Sequence, residues 1–107
     1  MNREKALEEV GKCVLRDRNT AYGSPEDSFQ DIADRWSIFL RRRGYFGSLN
    51  VLTPADVAAM MIDLKLARLG ANISKADNWI DAAGYAVCGV EVANNARSIY
   101  EGDDTSS

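Results

Sequence analysis

Two acidic residues, Asp63 and Asp81, stand inside stretches of largely apolar sequence, and they are the side chains best placed to do chemistry. An unpaired carboxylate in such surroundings costs free energy or shifts its pKa strongly, so each residue needs a partner. One alternative is an internal ion pair with Lys65, with Arg68 or with an arginine of the second predicted helix. The other is a metal ion or a phosphate group. The residues themselves leave both alternatives open.

The chain contains no histidine, which excludes histidine-dependent nucleophilic catalysis and an ordinary zinc site. It also lacks the glycine-rich loops that bind nucleotide phosphates in P-loop and dinucleotide-binding proteins. Catalysis would therefore depend on carboxylates that hold Mg²⁺, with Lys or Arg neutralising phosphate. For that case the predicted metal ligands are Asp63, Asp77 and Asp81, with Glu26 as a further acid. No other cofactor is predicted.

Asp77 also has a structural explanation, because an acid follows three residues after Ser or Thr at three predicted helix starts. This spacing is typical of a capping box, in which the two side chains hydrogen-bond to the first turn of the helix. The three pairs are Ser24 with Asp27, Thr53 with Asp56, and Ser74 with Asp77. Capping alone could account for Asp56 and Asp77.

A polar connection between the first two predicted helices carries an aromatic residue, Tyr22, followed by Gly23. Glycine permits unusual backbone angles, and Arg16 and Arg18 lie close by in sequence. The functional interpretation is a tyrosine ring that stacks on a base while an arginine meets phosphate. The structural alternative is a ring folded back onto the core.

These observations predict a ligand pocket where the loop of residues 18–23 meets the polar side of the third and fourth helices. Aromatic rings would stack on a base, and cations would contact its phosphates. The predicted ligand-binding residues are Arg16, Arg18, Tyr22, Gly23, Lys65, Arg68, Trp79 and Tyr85.

The elements that position these residues form an all-α domain of four main helices over residues 1–100. Apolar residues recur at helical spacing, which predicts helices near 2–16, 25–43, 54–69 and 75–97. The third helix is expected to begin after Thr53 and to end at a left-handed Gly70. The acidic tail 101–107 is predicted to be disordered.

The third helix is apolar nearly all round, and the fourth carries many small residues together with one apolar face. Four short helices in one subunit cannot cover that much apolar surface, so a homo-oligomer is predicted. The simplest form is a twofold dimer with helix 54–69 or helix 75–97 at the interface.

The composition restricts the partners and the compartment. Thirteen basic and sixteen acidic residues give a net charge of −3, which offers no broad basic face for duplex nucleic acid. No signal peptide and no membrane-spanning run is present, so we expect no membrane partner and a cytoplasmic location. Cys13 and Cys88 fall in helical patterns and are expected to be buried thiols in a reducing compartment.

Four segments together resemble a known group of proteins. They are Arg18-x-x-x-Tyr22-Gly23, Phe29-x-x-Ile32-Ala33-x-x-Trp36, Asp56-Val57-Ala58-x-Met60-Met61-x-x-Leu64-Lys65-x-Ala67-Arg68, and Asp77-Asn78-Trp79-x-Asp81-x-Ala83-Gly84-Tyr85. This order resembles the small phage and prophage domains called nucleotide modification associated domain 1. The resemblance implies a phage-encoded protein of the host cytosol that is tied to nucleotide metabolism or to nucleotide-based defence.

A more distant likeness is to the all-α nucleoside triphosphate pyrophosphatases of the MazG and dUTPase kind. Those enzymes are helical oligomers in which paired E-x-x-E and E-x-x-D motifs hold Mg²⁺ around a triphosphate. Here Asp77 and Asp81 are four apart, and the preceding helix carries no E-x-x-E.

Three functions are therefore compatible with the sequence. The first is a protein that binds or sequesters a nucleotide, including a host defence signal, in a pocket near a subunit interface. The second is an Mg²⁺-dependent nucleotide pyrophosphohydrolase. The third is a helical protein–protein interaction module that binds no small molecule.

Overall fold

The computed structural model describes residues 1–17 and 23–100, and all regular structure in these two ranges is helical. The helices are α1 (Arg3–Lys12), α2 (Pro25–Arg42), α3 (Pro54–Ala71) and α4 (Ala76–Tyr100), and a π-helical turn, Cys13–Asp17, continues α1. The prediction of an all-α domain with four main helices is confirmed. The tail 101–107, predicted to be disordered, lies outside the described residues.

Polar caps start three of the helices as their sequences predict. The Asn2 and Ser24 side chains accept hydrogen bonds from the backbone N–H groups of Lys5 and Asp27. At α3 the capping box is complete, because the Asp56 N–H donates to the Thr53 hydroxyl at 3.2 Å and the Thr53 N–H donates to the Asp56 carboxylate at 2.8 Å. Asp56 therefore has a structural role at this helix start.

Two expectations about helix ends are wrong. Ser74 does not cap α4, which begins at Ala76; its hydroxyl donates to the Asn72 side-chain oxygen at 3.2 Å. Gly70 does not end α3 in a left-handed conformation, because the helix continues through Ala71 and Asn72 forms the C-cap. Leu69 is buried near this end, and packing of the last turn favours continuing the helix past the glycine.

The remaining boundaries differ by small amounts from those predicted. The first helix changes to π geometry after Lys12, the second ends at Arg42, and the fourth extends to Tyr100. Left-handed glycines do occur at both ends of α2: Gly23 has φ 81° and Gly44 has φ 83°. Their positive φ angles turn the chain into and out of this helix.

The core lies where α2, α3 and α4 meet. Helices α3 and α4 form an antiparallel hairpin through the turn 72–75, and α2 packs on one side of it. A Cβ atom placed on Gly89 of α4 would lie 3.4 Å from the Ala58 Cβ of α3, so small residues let these two helices approach closely. The buried cluster is Phe29, Ala33, Val57, Ala58, Cys88 and Val92.

Helix α1 and its π turn pack against α4 on the side that carries Gly84. Cys88 is buried as expected, whereas Cys13 in the π turn is only half-buried. Within residues 1–17 and 23–100, no helix combines the length and the apolar character needed to cross a lipid bilayer.

Candidate functional site

The central feature of the candidate site is an ion pair between helices α3 and α4. The Lys65 ammonium of α3 lies 2.9 Å from the Asp81 carboxylate of α4. The Lys65 side chain is only 10% exposed, whereas that of Asp81 is 41% exposed. The lysine stem therefore packs between the helices, and its charge meets its partner at the edge of the hairpin. Of the alternatives for Asp81, the internal ion pair is present.

The other charged candidates on α3 separate into two groups. Arg68 is exposed and lies about one turn beyond Lys65, so both cations can face the same region. Asp63 is exposed and two residues from Lys65, which places it about 160° around the helix axis. Asp63 therefore needs no buried partner and does not share the site of the ion pair.

On α4, Asp77 and Asp81 share one side because they are four residues apart. Asp77 is exposed and lies in the first turn, where a carboxylate complements the helix dipole. Asp77 therefore lies on the same side of α4 as Asp81, but it is not buried between α3 and α4.

A residue that the sequence reasoning missed, Asn78, lies beside the ion pair. It is only 8% exposed and is one turn before Asp81. In the part of the chain that the structure describes, no hydrogen bond joins its side-chain amide to another residue. A buried amide without partners is costly and calls for an explanation. In the sequence, the only indication of a role for Asn78 is its place between Asp77 and Trp79, in the fourth segment that carries the family resemblance.

Tyr85 follows Asp81 by one turn and is half-buried against α2. Its ring centroid is 6.2 Å from that of Phe29, and the two planes are inclined at 35°. This aromatic contact holds the Tyr85 ring at the boundary between α4 and the start of α2. Tyr85 therefore borders the same side of α4 as Asp81.

The π turn approaches this side of α4 as well. Gly84 is buried, and a Cβ atom added there would lie 3.3 Å from the Val14 side chain. The connection from the π turn to Gly23 thus leaves from a position beside α4. Of its predicted ligand residues, Arg18 and Tyr22 lie outside the described residues, as does the side chain of Arg16. Gly23 is exposed and takes the positive φ that its residue type permits.

Trp79 is not part of this group. It is two residues from Asp81 and therefore about 160° away around α4. Its ring nitrogen donates to the Ile73 carbonyl at 2.8 Å, which fixes the ring in place, and just over half of the residue is exposed. The structure separates Trp79 from Lys65, Asp81 and Tyr85.

A second pair of acids connects the later part of α4 with the start of α2. The pKa of Glu91 is raised, first by a hydrogen bond with Glu26 at the start of α2 and then by the charge of that residue. Ten residues separate Glu91 from Asp81, or about 15 Å along the helix. Glu26 is therefore associated with Glu91 rather than with Asp81. In residues 1–17 and 23–100, no three metal-ligating side chains group closely enough to hold an ion.

These observations define the class of the protein: an all-helical domain in which an ion pair joins the two helices of one hairpin. The chain belongs to the family described as "Domain of unknown function (DUF6378)", which matches residues 5–93. No solved structure matches the chain.

Two relatives are phage proteins. Over 85 residues the chain is 35% identical to the Gene 55 protein of Mycobacterium phage D29, which covers 79% of this chain and 51% of that protein. It is 38% identical over 65 residues to the Gene 55 protein of Mycobacterium phage L5, which covers 61% of this chain and 37% of that one. The chain thus spans about half the length, or less, of the curated relatives it matches. The expectation of a small phage-protein family is confirmed. The resemblance to nucleotide modification associated domain 1 and the likeness to all-α pyrophosphatases stay predictions.

Proposed function

We propose that the chain binds a nucleotide on the side of the α3–α4 hairpin that carries Lys65, Asp81 and Tyr85. The observation that carries the proposal is the ion pair of Lys65 and Asp81, whose lysine is buried and whose carboxylate is still 41% exposed. A cation held in this way has a fixed position and little rotamer freedom left to lose when an anion binds. The buried amide of Asn78, one turn away, supplies donors and an acceptor that suit the edge of a base.

Charge balance decides what kind of nucleotide complex this site can form. Asp81 already neutralises Lys65, so a phosphate group arriving there meets a carboxylate as well as a cation. Binding therefore needs a further positive charge, either the exposed Arg68 or an Mg²⁺ ion, for which Asp81 would be a carboxylate ligand. We expect the affinity to rise with Mg²⁺ if the ion supplies that charge, and to depend on Arg68 if it does not.

Because the family has phage members, the proposed biological role of this binding is to sequester a nucleotide in the host cytosol. The nucleotide could be a signal used in host defence. For Tyr22, Arg16 and Arg18, stacking on the base and contact with phosphate remain the predicted roles. Hydrolysis of the bound nucleotide would require the carboxylate of Asp81 to hold Mg²⁺ productively.

The deciding experiment begins with the folded protein as purified. Mass spectrometry of small molecules released on denaturation should identify a nucleotide, and calorimetry with linear and cyclic nucleotides, with and without Mg²⁺, should measure its affinity. If no nucleotide co-purifies and none binds to folded protein, the proposal is wrong. Release of phosphate or pyrophosphate during these titrations would assign the site to a hydrolase.

Arg68→Ala tests the site with little risk to the fold, because the residue is exposed. Loss of a charge-assisted hydrogen bond weakens binding by about 1–3 kcal/mol, or roughly 5- to 150-fold in Kd. Arg35→Ala is the matched control, since this exposed arginine of α2 pairs with Asp31 of its own helix. Equal affinities for the two variants would remove Arg68 from the site.

We also propose that the chain is a homo-oligomer, most simply a twofold dimer. The support is the number of large apolar side chains that the described part of the chain leaves exposed on α3 and α4. Such surfaces are uncommon on monomers and typical of subunit interfaces. The nucleotide site lies across α4 from the largest apolar surface of that helix, so one helix diameter separates the two.

A further inference from the structure

Helix α4 exposes an uncharged apolar surface, which we call the α4 outer face. Its large side chains are each 50% exposed or more, and small residues lie between them. The α4 outer face consists of Trp79, Ala83, Ala86, Val87 and Val90. Ile73 extends it at the turn, where its carbonyl holds the Trp79 ring and its own side chain is exposed.

The opposite side of the same helix packs against the rest of the chain and is a mixture of apolar and polar residues. It buries Ile80, Cys88 and Val92 together with Asn78 and Gly84, and it carries the ion-paired Asp81. A helix that serves only its own core directs its most apolar side inward. Helix α4 carries large apolar side chains on its outer face as well as in the core, which indicates that the outer face is matched to a surface beyond this subunit.

Spacing along the face fits a helix-to-helix contact. Positions 79, 83, 86 and 90 follow one another by four, three and four residues, which is the pattern of a coiled-coil seam. The seam has its small residues in the middle and its larger ones at the ends. Small residues at a crossing point allow two helix axes to approach closely.

We propose that a second copy of this chain covers the α4 outer face, with the two α4 helices antiparallel across a twofold axis between Ala83 and Ala86. In this arrangement Ala83 packs on the partner's Ala86, and Trp79 packs on the partner's Val90, so each large residue fills the space beside the close central contact. A twofold contact must be complementary to itself, and this sequence of large, small, small and large satisfies that condition. The inference rests on the proposed homo-oligomer and assigns its interface.

Charge does not oppose a second copy on this face. The net charge of −3 is small, and the five residues of the face carry no charge, so no like charges meet in the contact. Glu91 borders the face. With the axis between Ala83 and Ala86, the two copies of Glu91 are thirteen residues apart along the helix direction, or about 20 Å. Screening leaves little repulsion over that distance.

Trp79 is the expected anchor of the contact. Its hydrogen bond to the Ile73 carbonyl fixes the ring before association, so little side-chain freedom is lost on binding. Tryptophan is among the residue types that contribute most to protein interfaces.

The oligomeric state of the whole chain tests the inference. Sedimentation equilibrium from 1 to 100 μM should give twice the chain mass of 11.8 kDa. Ala86→Arg places a long charged side chain at the twofold axis and should raise the dimer dissociation constant at least 100-fold. Ile38→Arg is the matched control, because Ile38 is a comparably exposed apolar residue on α2, and it should leave the dimer unchanged.

The outcomes separate this inference from the proposals on which it rests. A monomer at every concentration overturns the homo-oligomer and the interface together. A dimer that persists in Ala86→Arg, with helical content equal to the parent, overturns the interface alone. Nucleotide binding is measured in parallel, and its loss or retention has no bearing on these two results because the site lies on the other side of α4.

Cross-linking provides a second measurement that does not depend on a destabilising change. With a short bis-maleimide, Ala83→Cys and Ala86→Cys should form covalent dimers, since both positions adjoin the axis. Val90→Cys should not, because its two copies lie about 17 Å apart along the helices. The parent protein with Cys13 and Cys88 controls for native thiols. Efficient linking through Val90→Cys would indicate a parallel or different contact and would overturn the proposal.

Discussion

The two sides of helix α4 differ in a way that hydrophobicity alone does not explain. Toward the rest of the chain it presents Ile80 and Val92 together with an amide, a glycine and a thiol, whereas toward solvent it presents a tryptophan and two valines. Burial on the inner side depends on shape, because Gly84 and Gly89 are the places where Val14 and Ala58 come closest. Close approach of helices selects small residues at these two contacts, and α4 carries further large apolar residues on its outer side.

Helix α3 repeats this contrast. Lys65 is buried, whereas its neighbour Leu66 is exposed. The Lys65–Asp81 pair satisfies the buried charge, and the exposed leucine has no such local explanation. In both helices of the hairpin, the inner side combines core packing with the specific polar contacts, and the outer side carries further apolar area. Four comparisons between variants, in the hairpin and at its border, test how far the inner and outer sides differ.

The largest expected effect separates a buried leucine from an exposed one on α3. Leu69 is 3% exposed and Leu66 is 53% exposed. Leu69→Ala should lower the free energy of unfolding by about 2–5 kcal/mol, because it removes buried methyl groups and leaves a cavity. Leu66→Ala should change it by less than about 0.5 kcal/mol. Urea denaturation of both variants measures the difference, and equal losses would show that the outer side of α3 is also buried.

The second prediction concerns the ion pair. Asp81→Asn leaves the buried Lys65 ammonium without its counter-charge and should cost about 1–3 kcal/mol of stability. Lys65→Met keeps the packed stem and leaves a half-exposed carboxylate that water can solvate, so it should cost less. The double variant should be more stable than the sum of the two losses predicts. Additive losses in this double-mutant cycle would mean that the 2.9 Å contact contributes nothing to stability.

Much of the fold could be predicted from the sequence, because helix starts and apolar periodicity are local properties. Thr53 with Asp56 and Ser24 with Pro25 marked the beginnings of α3 and α2 correctly. Helix ends were less accurate. At Gly70 the last turn of α3 continues past the glycine, and a local C-cap rule does not include that tertiary packing.

The candidate site was predictable only in part, since it depends on which sides of two helices meet. Sequence spacing identified Lys65 and Asp81 as charges that need partners, and the two do form a pair. Spacing could not tell that Trp79 and Asp63 would point away from that pair, because both helices carry apolar residues on every side. Asn78 was missed for the same reason: its burial depends on where α3 crosses α4.

The third prediction compares two glycines inside the helices of the hairpin. Among the described residues, no atom lies within 4 Å of a Cβ added at Gly70, so Gly70→Ala should raise stability by about 0.5–1 kcal/mol through its better helix propensity. At Gly84 the same gain is opposed by Val14, only 3.3 Å from the new methyl group. Gly84→Ala should therefore be neutral or destabilising by up to about 1 kcal/mol. Thermal denaturation of the pair measures this, and an equal gain at both sites would show that the π turn yields easily.

The smallest expected effect lies where the two sides of α4 meet, at Glu91. Its pKa is raised above the usual value for glutamate by the hydrogen bond with Glu26 and by the charge of that residue. The folded state therefore holds this proton more tightly than the unfolded chain. The resulting stabilisation is complete below the unfolded pKa and is lost as the pH rises through the folded pKa, in the acidic range above about 4.5. At neutral pH the two carboxylates repel each other.

Glu91→Gln should remove this dependence, because the amide can donate to Glu26 at any pH. The variant should match the parent in Tm near pH 4 and exceed it by about 1–2 °C at pH 7, a small gain because the group is exposed. Glu9→Gln is the control of opposite sign, since Glu9 forms a 3.3 Å ion pair with Lys5 and its loss should lower Tm at pH 7. A Tm difference between Glu91→Gln and the parent that stays constant from pH 4 to pH 7 would show that Glu26 and Glu91 do not share a proton, and that this end of α4 is held by packing alone.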